Sequence, residues 1–282
     1  MPEDILIRLA QSPADYEGCV ELQRRVWGLA DLEIASTIQM IASTLAGGTV
    51  HVAATRDGQR VGFAYAFPAL RGGHAHLHSD MLAVLPEFQK RGVGVRLKLA
   101  QREEALARGL DLVTWTFDPL QARNAQLNLR RLGATATEFL ENVYGVTSSA
   151  LHYGLPTDRL LVLWELRSPR VEQRVAGGEP PRVELTPDLP RINEVKWQGG
   201  WPVSSDPALD FAEPSLLLEI PPEFEVLSQS APHVASDWHA KVRRALAAYF
   251  GRGYVASDLV PTEEAGRRRP FYLLTRTGHE AA

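Results

Sequence analysis

The stretch LPEFQKRGVG, Leu85 to Gly94, decides how the chain folds. It lies between a strand-like apolar run and a helical one, and it carries two glycines separated by a single residue, Gly92 and Gly94. Glycines at such a junction remove side chains that would hold a ligand away, and they allow backbone angles that aim successive amides at one spot. The unpaired amides and positive end of the helix that follows then favour a pyrophosphate. Lys90 and Arg91 add charge at the rim. A bare GxG is equally a glycine-softened turn with solvated basic residues, so its surroundings have to choose between the two.

Those surroundings alternate short strands with periodic helices. Upstream, ILIRLA (Ile5 to Ala10) reads as a strand. Ser12 and Pro13 then read as cap and first position of a helix with Tyr16, Cys19 or Val20, Gln23 and Trp27 on one stripe. TIQMIASTLAGG reads as a helix closed by its glycine pair, and the two apolar runs around Asp57-Gly58 as a hairpin. A strand from His74 to Leu85 leads into the loop. Downstream come a helix that stops at Gly109, the strand LDLVTWTF (Leu110 to Phe117) and a helix around ARNAQLNLRRLG that closes at Gly133. Strands in TATEFLENVYG and in RLLVLWEL (Arg159 to Leu166) complete this half. The order predicts a mixed α/β fold with function at a strand-to-helix junction.

Proline, glycine and charge crowd together in SPRVEQRVAGGEPPRVELTPDLP, so residues 169–212 read as a surface connection. Beyond it, SLLLEIPPEF (Ser215 to Phe224) aligns without a gap to SDMLAVLPEF (Ser79 to Phe88). The identities are Ser79 with Ser215, Leu82 with Leu218, Pro86 with Pro222, Glu87 with Glu223 and Phe88 with Phe224. Each copy leads into a helix, then ARG or GRG, then an apolar strand, over a path eight residues longer in the second copy (224 to 251 against 88 to 107). This predicts a degenerate internal duplication, and three regions: 1–168, the connection 169–212, and a C-terminal subdomain 213–282 without the glycine loop.

Composition narrows the function. A chain of 282 residues with 45% hydrophobic and 23% charged residues is ordinary globular protein. A net charge of -4 gives no basic face for nucleic acid. One cysteine, Cys19, excludes an internal disulfide and suits a reducing cytosol. The start MPEDILIRLAQ is acidic and does not read as a secretory signal, and no apolar run approaches the roughly 18 to 20 residues of a membrane span. A cytoplasmic protein without nucleic-acid or membrane partners is expected.

Q-x-x-G-x-G after the strand end A-V-x-P-E-F, followed by a strand and by N-x-x-x-N-x-x-x-x-G, resembles the acyl-CoA-binding core of the GNAT superfamily of N-acyltransferases. The resemblance covers about Ile5 to Leu166. WTFDP, NAQLNLRRLGA and NVYG are similar to a poorly characterised branch with a C-terminal extension, some members of which are linked with N-acylamino-acid metabolism. It implies a mostly antiparallel sheet flanked by helices, with 213–282 as a degenerate GNAT-like half; a homodimer is a possible assembly. It further implies that the amides of Gln89, Lys90, Arg91, Gly92, Val93 and Gly94 bind the CoA pyrophosphate. The backbone of Leu82, Ala83 and Val84 would pair with the pantetheine arm, and Asn124 would meet it. An amine then attacks the thioester directly, helped by a base, an acid for the departing thiolate and a strand amide near Leu82 for the oxyanion.

The sequence departs from that pattern where many members carry a tyrosine acid. Counting back from Arg131-Leu132-Gly133, the position is Leu129. Either Tyr144 of NVYG replaces it or the thiolate leaves unaided, and Tyr144 is equally a core tyrosine. For the base, strand alternation sends His78 and Asp80 to one face, as an acid-base couple or a local hydrogen-bonded pair. The same alternation aligns His74 and His76 with them, which raises a zinc site as a rival. The run is too extended for one ion, and no metal is expected. A third reading is a module that binds acyl-CoA without transfer. Arg71 is a candidate for an acceptor's carboxylate, or a solvated loop arginine. The expected co-substrate is acetyl-CoA, with succinyl-CoA as the alternative donor, and the expected acceptor a small-molecule amine such as an amino acid.

Overall fold

The computed structural model describes residues 5–145, 154–180, 183, 186 and 189–276. They fall into two compact units: one runs up to Trp115 and includes 165–168, and the other begins at Thr116 and holds the remainder.

In the first unit, strand β1 (Ile5–Leu9) leads into helix α1 (Pro13–Trp27). The helix starts where it does because Asp15 accepts the amides of Gln11 and Ser12, at 2.9 and 3.3 Å, and binds Arg8 through two 2.8 Å bonds and Arg60 at 3.1 Å. The Arg8 guanidinium, with help from those amides and Arg60, holds the Asp15 carboxyl well below the usual carboxylate range against the opposing pull of burial. Helix α2 (Thr37–Leu45) follows, with Ser36 capping the Gln39 amide at 3.2 Å. Strands β2 (Thr49–Thr55) and β3 (Arg60–Arg71) form the expected hairpin, with Gly58 at φ +88° in its turn. A second hairpin, through Gly72 and Gly73, joins β3 to β4 (His74–Val84). Helix α3 (Val93–Ala107) and strand β5 (Leu112–Phe117) follow, and β5 carries the chain into the second unit.

The strand order of this unit is β1-β2-β3-β4-β5, antiparallel except for the parallel β4–β5 contact. A core of Cys19, Leu22, Met40, Val52, Phe63, Ala83 and Leu97 joins the helices to the sheet. Burial of the leucine, methionine, valine and phenylalanine side chains among them stabilises the unit by roughly 1.5–3 kcal/mol each. Cys19 is fully enclosed, and burial pushes its thiol up to about 12.

In the second unit, helix α4 (Ala122–Ala125) passes into a π-helical stretch, Gln126–Arg131, in which the Leu132 amide reaches the Leu127 carbonyl at 2.9 Å. Strands β6 (Thr135–Leu140) and β7 (Arg159–Glu165) pair antiparallel. Residues 169–212 hold more regular structure than a surface connection. Helix α5 (Pro169–Val175) buries Val171, and strands β8 (Val195–Gln198) and β9 (Trp201–Ser204) pair through Gly199 and Gly200, both at positive φ. Then come β10 (Ser215–Glu219), α6 (Phe224–Ser230), α7 (Pro232–Phe250), β11 (Tyr254–Glu264) and β12 (Arg267–Arg276). The strand order here is β7-β6-β11-β12-β10. A faithful copy of the β4-α3-β5 arrangement would set β10 beside β11, but β12 lies between them and pairs with both. The likeness of the two ten-residue segments therefore stops at the strand, turn and helix and does not extend to the strand order.

Candidate active site

Strand β4 is the backbone of the site. Its ladder with β3 runs from His74 to Val84, whereas its ladder with β5 consists of Leu77 opposite Val113 and His78 opposite Thr114. Past His78, the edge of β4 that faces away from β3 has no strand partner among the described pairings. Unpaired strand N–H and C=O groups can accept an extended ligand as a further strand; this stretch holds Leu82, Ala83 and Val84, of which the Val84 carbonyl already accepts the Gln89 side chain at 3.0 Å.

A β-bulge falls in the same strand. Tyr65 lies opposite Met81 and Ala66 opposite Ser79, which leaves Asp80 as the extra residue. The bulge shifts the alternation of side chains. Ser79 bonds Lys98 of α3 at 2.7 Å, and Leu82 and Val84 lie 3.9 and 4.0 Å from the Cβ position of Gly94, also on α3. The regular alternation expected to set His78 and Asp80 on one face is therefore interrupted at Asp80. His78 shares a 2.8 Å hydrogen bond with Thr114 Oγ1 and packs on Phe67, and no bond or ion pair joins it to Asp80. Burial, reinforced by His76 and Lys98, pushes the His78 imidazole down to about 4, so it is neutral at neutral pH. Asp80 has no side-chain partner among the described residues. Its surface is open to solvent, and the protein crowding around it pushes its carboxyl upward from the usual value.

After β4 the chain makes a 3-10 turn, Pro86–Phe88, and enters the loop. Gln89 folds this loop: its amide donates to the Pro86 carbonyl at 3.2 Å and its side chain to the Val84 carbonyl at 3.0 Å. It is thereby spent on the turn and offers no amide to a phosphate. Lys90 and Gly92 take left-handed backbone angles, φ +60° and +79°. The amides of Lys90, Arg91, Gly92, Val93, Gly94 and Val95 donate to no group among the described residues, and α3 has no side-chain cap. A Cβ at Gly92 would meet nothing within 4 Å. The loop is thus a concave run of free donors at the positive end of a 15-residue helix, with Lys90 and Arg91 exposed beside it. That donor set matches a diphosphate.

The three histidines of β4 have separate partners. His74 Nε2 bonds Asp111 at 2.9 Å, and the buried His76 donates Nδ1–H to the His74 carbonyl at 3.2 Å. Among the described residues no group of three histidine, cysteine, aspartate or glutamate side chains is disposed around a metal ion. The zinc reading has no support in this geometry. No described helix is long and apolar enough to cross a membrane.

Asn124 and Tyr144 belong to the second unit. Asn124 is exposed on α4, and its side chain makes no hydrogen bond among the described residues. Leu129, at the position where many family members carry a tyrosine acid, is fully buried. Tyr144 is 51% exposed, so it is not a core residue. Its hydroxyl lies 3.3 Å from Thr116 Oγ1 on β5, and Arg159 covers its ring at 5.1 Å.

Two features were not anticipated. Lys98 is buried without a carboxylate, bonded to Ser79 and stacked 3.8 Å from the Trp115 ring centroid, and burial pushes its amine down to about 7. The RLKLAQ pattern gives no sign that this lysine faces inward. Asp118, at the end of β5, is pushed upward by burial although the Leu120 amide at 2.8 Å and the charge of Arg159 favour its ionised form. The break at Asp118-Pro119 marks the end of a strand and gives no sign of a buried titratable group.

Residues 46–133 match the profile of the family described as "Acetyltransferase (GNAT) domain". No curated protein sequence matches the chain. Among solved structures, the ribosomal-protein-S18-alanine N-acetyltransferase of Escherichia coli is 16% identical, covering 58% of this chain and 95% of its own at a TM-score of 0.46. A GNAT family acetyltransferase of Elizabethkingia anophelis with acetyl-CoA bound is 16% identical over 58% of this chain and 99% of its own, at a TM-score of 0.43. A GNAT-family acetyltransferase of Streptococcus pneumoniae is 18% identical, covering 57% and 98%, at 0.45. The matched profile spans β4, the open-amide loop and α3, so the stretch that carries the loop is similar in sequence to an acetyltransferase (GNAT) domain.

Proposed function

We propose that the protein moves an acyl group, acetyl by default, from acyl-CoA to the primary amine of a small molecule such as an amino acid. The observation that carries this reading is the run of free amides from Lys90 to Val95 beside the open edge of β4. In this reading the loop holds the diphosphate, and Leu82 to Val84 pair with the pantetheine arm. The amine attacks the thioester carbonyl, forming the C–N bond while the C–S bond breaks. Asp80, directly or through a water, takes the amine's proton, and a β4 amide at or beside Leu82 holds the oxyanion. The acid for the departing thiolate is assigned to Tyr144 and a pantetheine contact to Asn124 on the resemblance alone. His78, neutral and tied to Thr114, shapes the site rather than serving as the base.

Free-CoA release is to be followed with acetyl-CoA and succinyl-CoA against D- and L-amino acids, polyamines, aminoglycosides and short peptides. Turnover with a small amine is expected. Turnover confined to peptides would move the acceptor to proteins, and acetyl-CoA binding without thiol release from any pair would establish a non-catalytic acyl-CoA module.

A further inference from the structure

Tyr144 occupies an exposed turn that has little packing of its own. Asn142 sits at φ +45°, and Glu141, Asn142, Val143 and Tyr144 are all exposed. Such a turn would ordinarily sample many conformations. Here it is stitched to one short segment: the Val143 amide donates to the Thr157 carbonyl at 3.0 Å and the Tyr144 amide to Thr157 Oγ1 at 2.8 Å. The Asn142 amide donates to Asp158 Oδ1 at 3.0 Å, and the Thr157 amide returns a bond to Asn142 Oδ1 at 3.2 Å.

The segment that does this is itself held from the C-terminal region. Asp158 is 4% exposed and is gripped at both oxygens by Arg243 of α7, Nε to Oδ2 at 2.8 Å and Nη2 to Oδ1 at 2.6 Å. One turn earlier on the same face, His239 donates Nε2–H to the Pro156 carbonyl at 3.0 Å and lies 3.4 Å from Asp158 Oδ2. A two-pronged arginine-carboxylate pair fixes orientation as well as distance. The charge of Glu141 adds to the attraction on Arg243. The chain of contacts therefore runs from α7 through Asp158 and Thr157 to the backbone of Tyr144, within one unit.

We infer that α7 serves the transfer reaction: Arg243 and Asp158 are positioning residues that hold the 142–145 turn and with it the backbone of Tyr144, the residue read as the acid. This rests on the reading of Tyr144 as the acid. It gives the C-terminal region a role in transfer although that region lacks the glycine loop.

The test pairs hydrogen exchange with kinetics on the full chain. In Arg243→Ala the Val143 and Tyr144 amides should exchange about tenfold faster or more. With acetyl-CoA and the best acceptor from the screen, kcat should fall about tenfold at unchanged KM for acetyl-CoA. In a Tyr144→Phe background the same substitution should cost nothing further, because the group it positions is gone. Should Arg243→Ala not fold, Arg243→Lys and Asp158→Asn, which retain part of the contact, should give the same pattern at smaller amplitude. Unchanged exchange at 143 and 144, or an equal second loss of kcat in the Tyr144→Phe background, would overturn the inference. Full kcat in Tyr144→Phe would remove the acid assignment and this inference with it, while acetyl-CoA titration reports separately on the loop.

Discussion

Ser79–Phe88 and Ser215–Phe224 end in the same Pro-Glu-Phe and continue differently. After Phe88 the chain spends four residues in a loop with two left-handed positions and two cations, then starts an uncapped helix of 15 residues. After Glu223 it enters the seven-residue α6 at once, with no positive φ between 219 and 232 and with Glu223 and Glu225 at the helix start. Both helices begin with unpartnered amides, as all helices do. What separates them is curvature of the backbone and sign of charge: lysine and arginine gather anions where the paired glutamates repel them. Proline, glutamate and phenylalanine therefore serve the turn, and the residues after them carry the free amides of the proposed diphosphate site.

The comparison breaks most sharply at Gly92. Gly92→Glu should weaken acetyl-CoA binding by more than about 100-fold in calorimetry, since it puts a carboxylate among the amides. The fold should survive, because that position faces open space and a left-handed residue costs only about 1–2 kcal/mol. In the second copy Val226→Glu, at an exposed site, should leave binding unchanged. A smaller effect is expected from making α3 more like α7, whose buried face is mainly apolar and aromatic, Trp238, Val242, Leu246 and Tyr249 among it. The folded chain releases the Lys98 proton near 7, whereas the unfolded chain holds it to about 10.5. The unfolded state binds more protons in that window, so stability should rise with pH from about 7 to 10.5. In Lys98→Met this rise should disappear from urea melts, with a gain of roughly 1–2 kcal/mol below pH 7 after the lost bond to Ser79 is counted. The smallest change sharpens the contrast: Lys90→Gly relieves a positive φ, and should raise the melting temperature slightly with acetyl-CoA affinity within about threefold of the parent.

Hydrophobic periodicity and turn residues made most of the first 166 residues legible, including the glycine stops at Gly109 and Gly133, both at positive φ. The extent of β3 was not. Pro68 reads as a strand end, but β2 stops pairing at Thr49 opposite Ala66, so the missing N–H of Pro68 falls where no β2 partner needs it. The hairpin in KWQGGWPV had the required Gly199-Gly200 signal, which was submerged in a proline- and charge-rich neighbourhood. In the candidate site, the strand-to-helix loop with its left-handed glycine was readable because its geometry is local. The bulge at Asp80, the inward turn of Lys98 and the Asp158–Arg243 grip were not, since each depends on register or on a partner far away in sequence.

Cys19 has a practical consequence for every one of these measurements. It is the chain's one thiol, fully buried and pushed up to about 12, so it carries almost no thiolate at the pH of an assay. Disulfide-type colour reagents will therefore register released CoA and leave the native protein silent. Signal from the protein itself will mark unfolding, which gives each kinetic trace a built-in report on whether a variant is still folded.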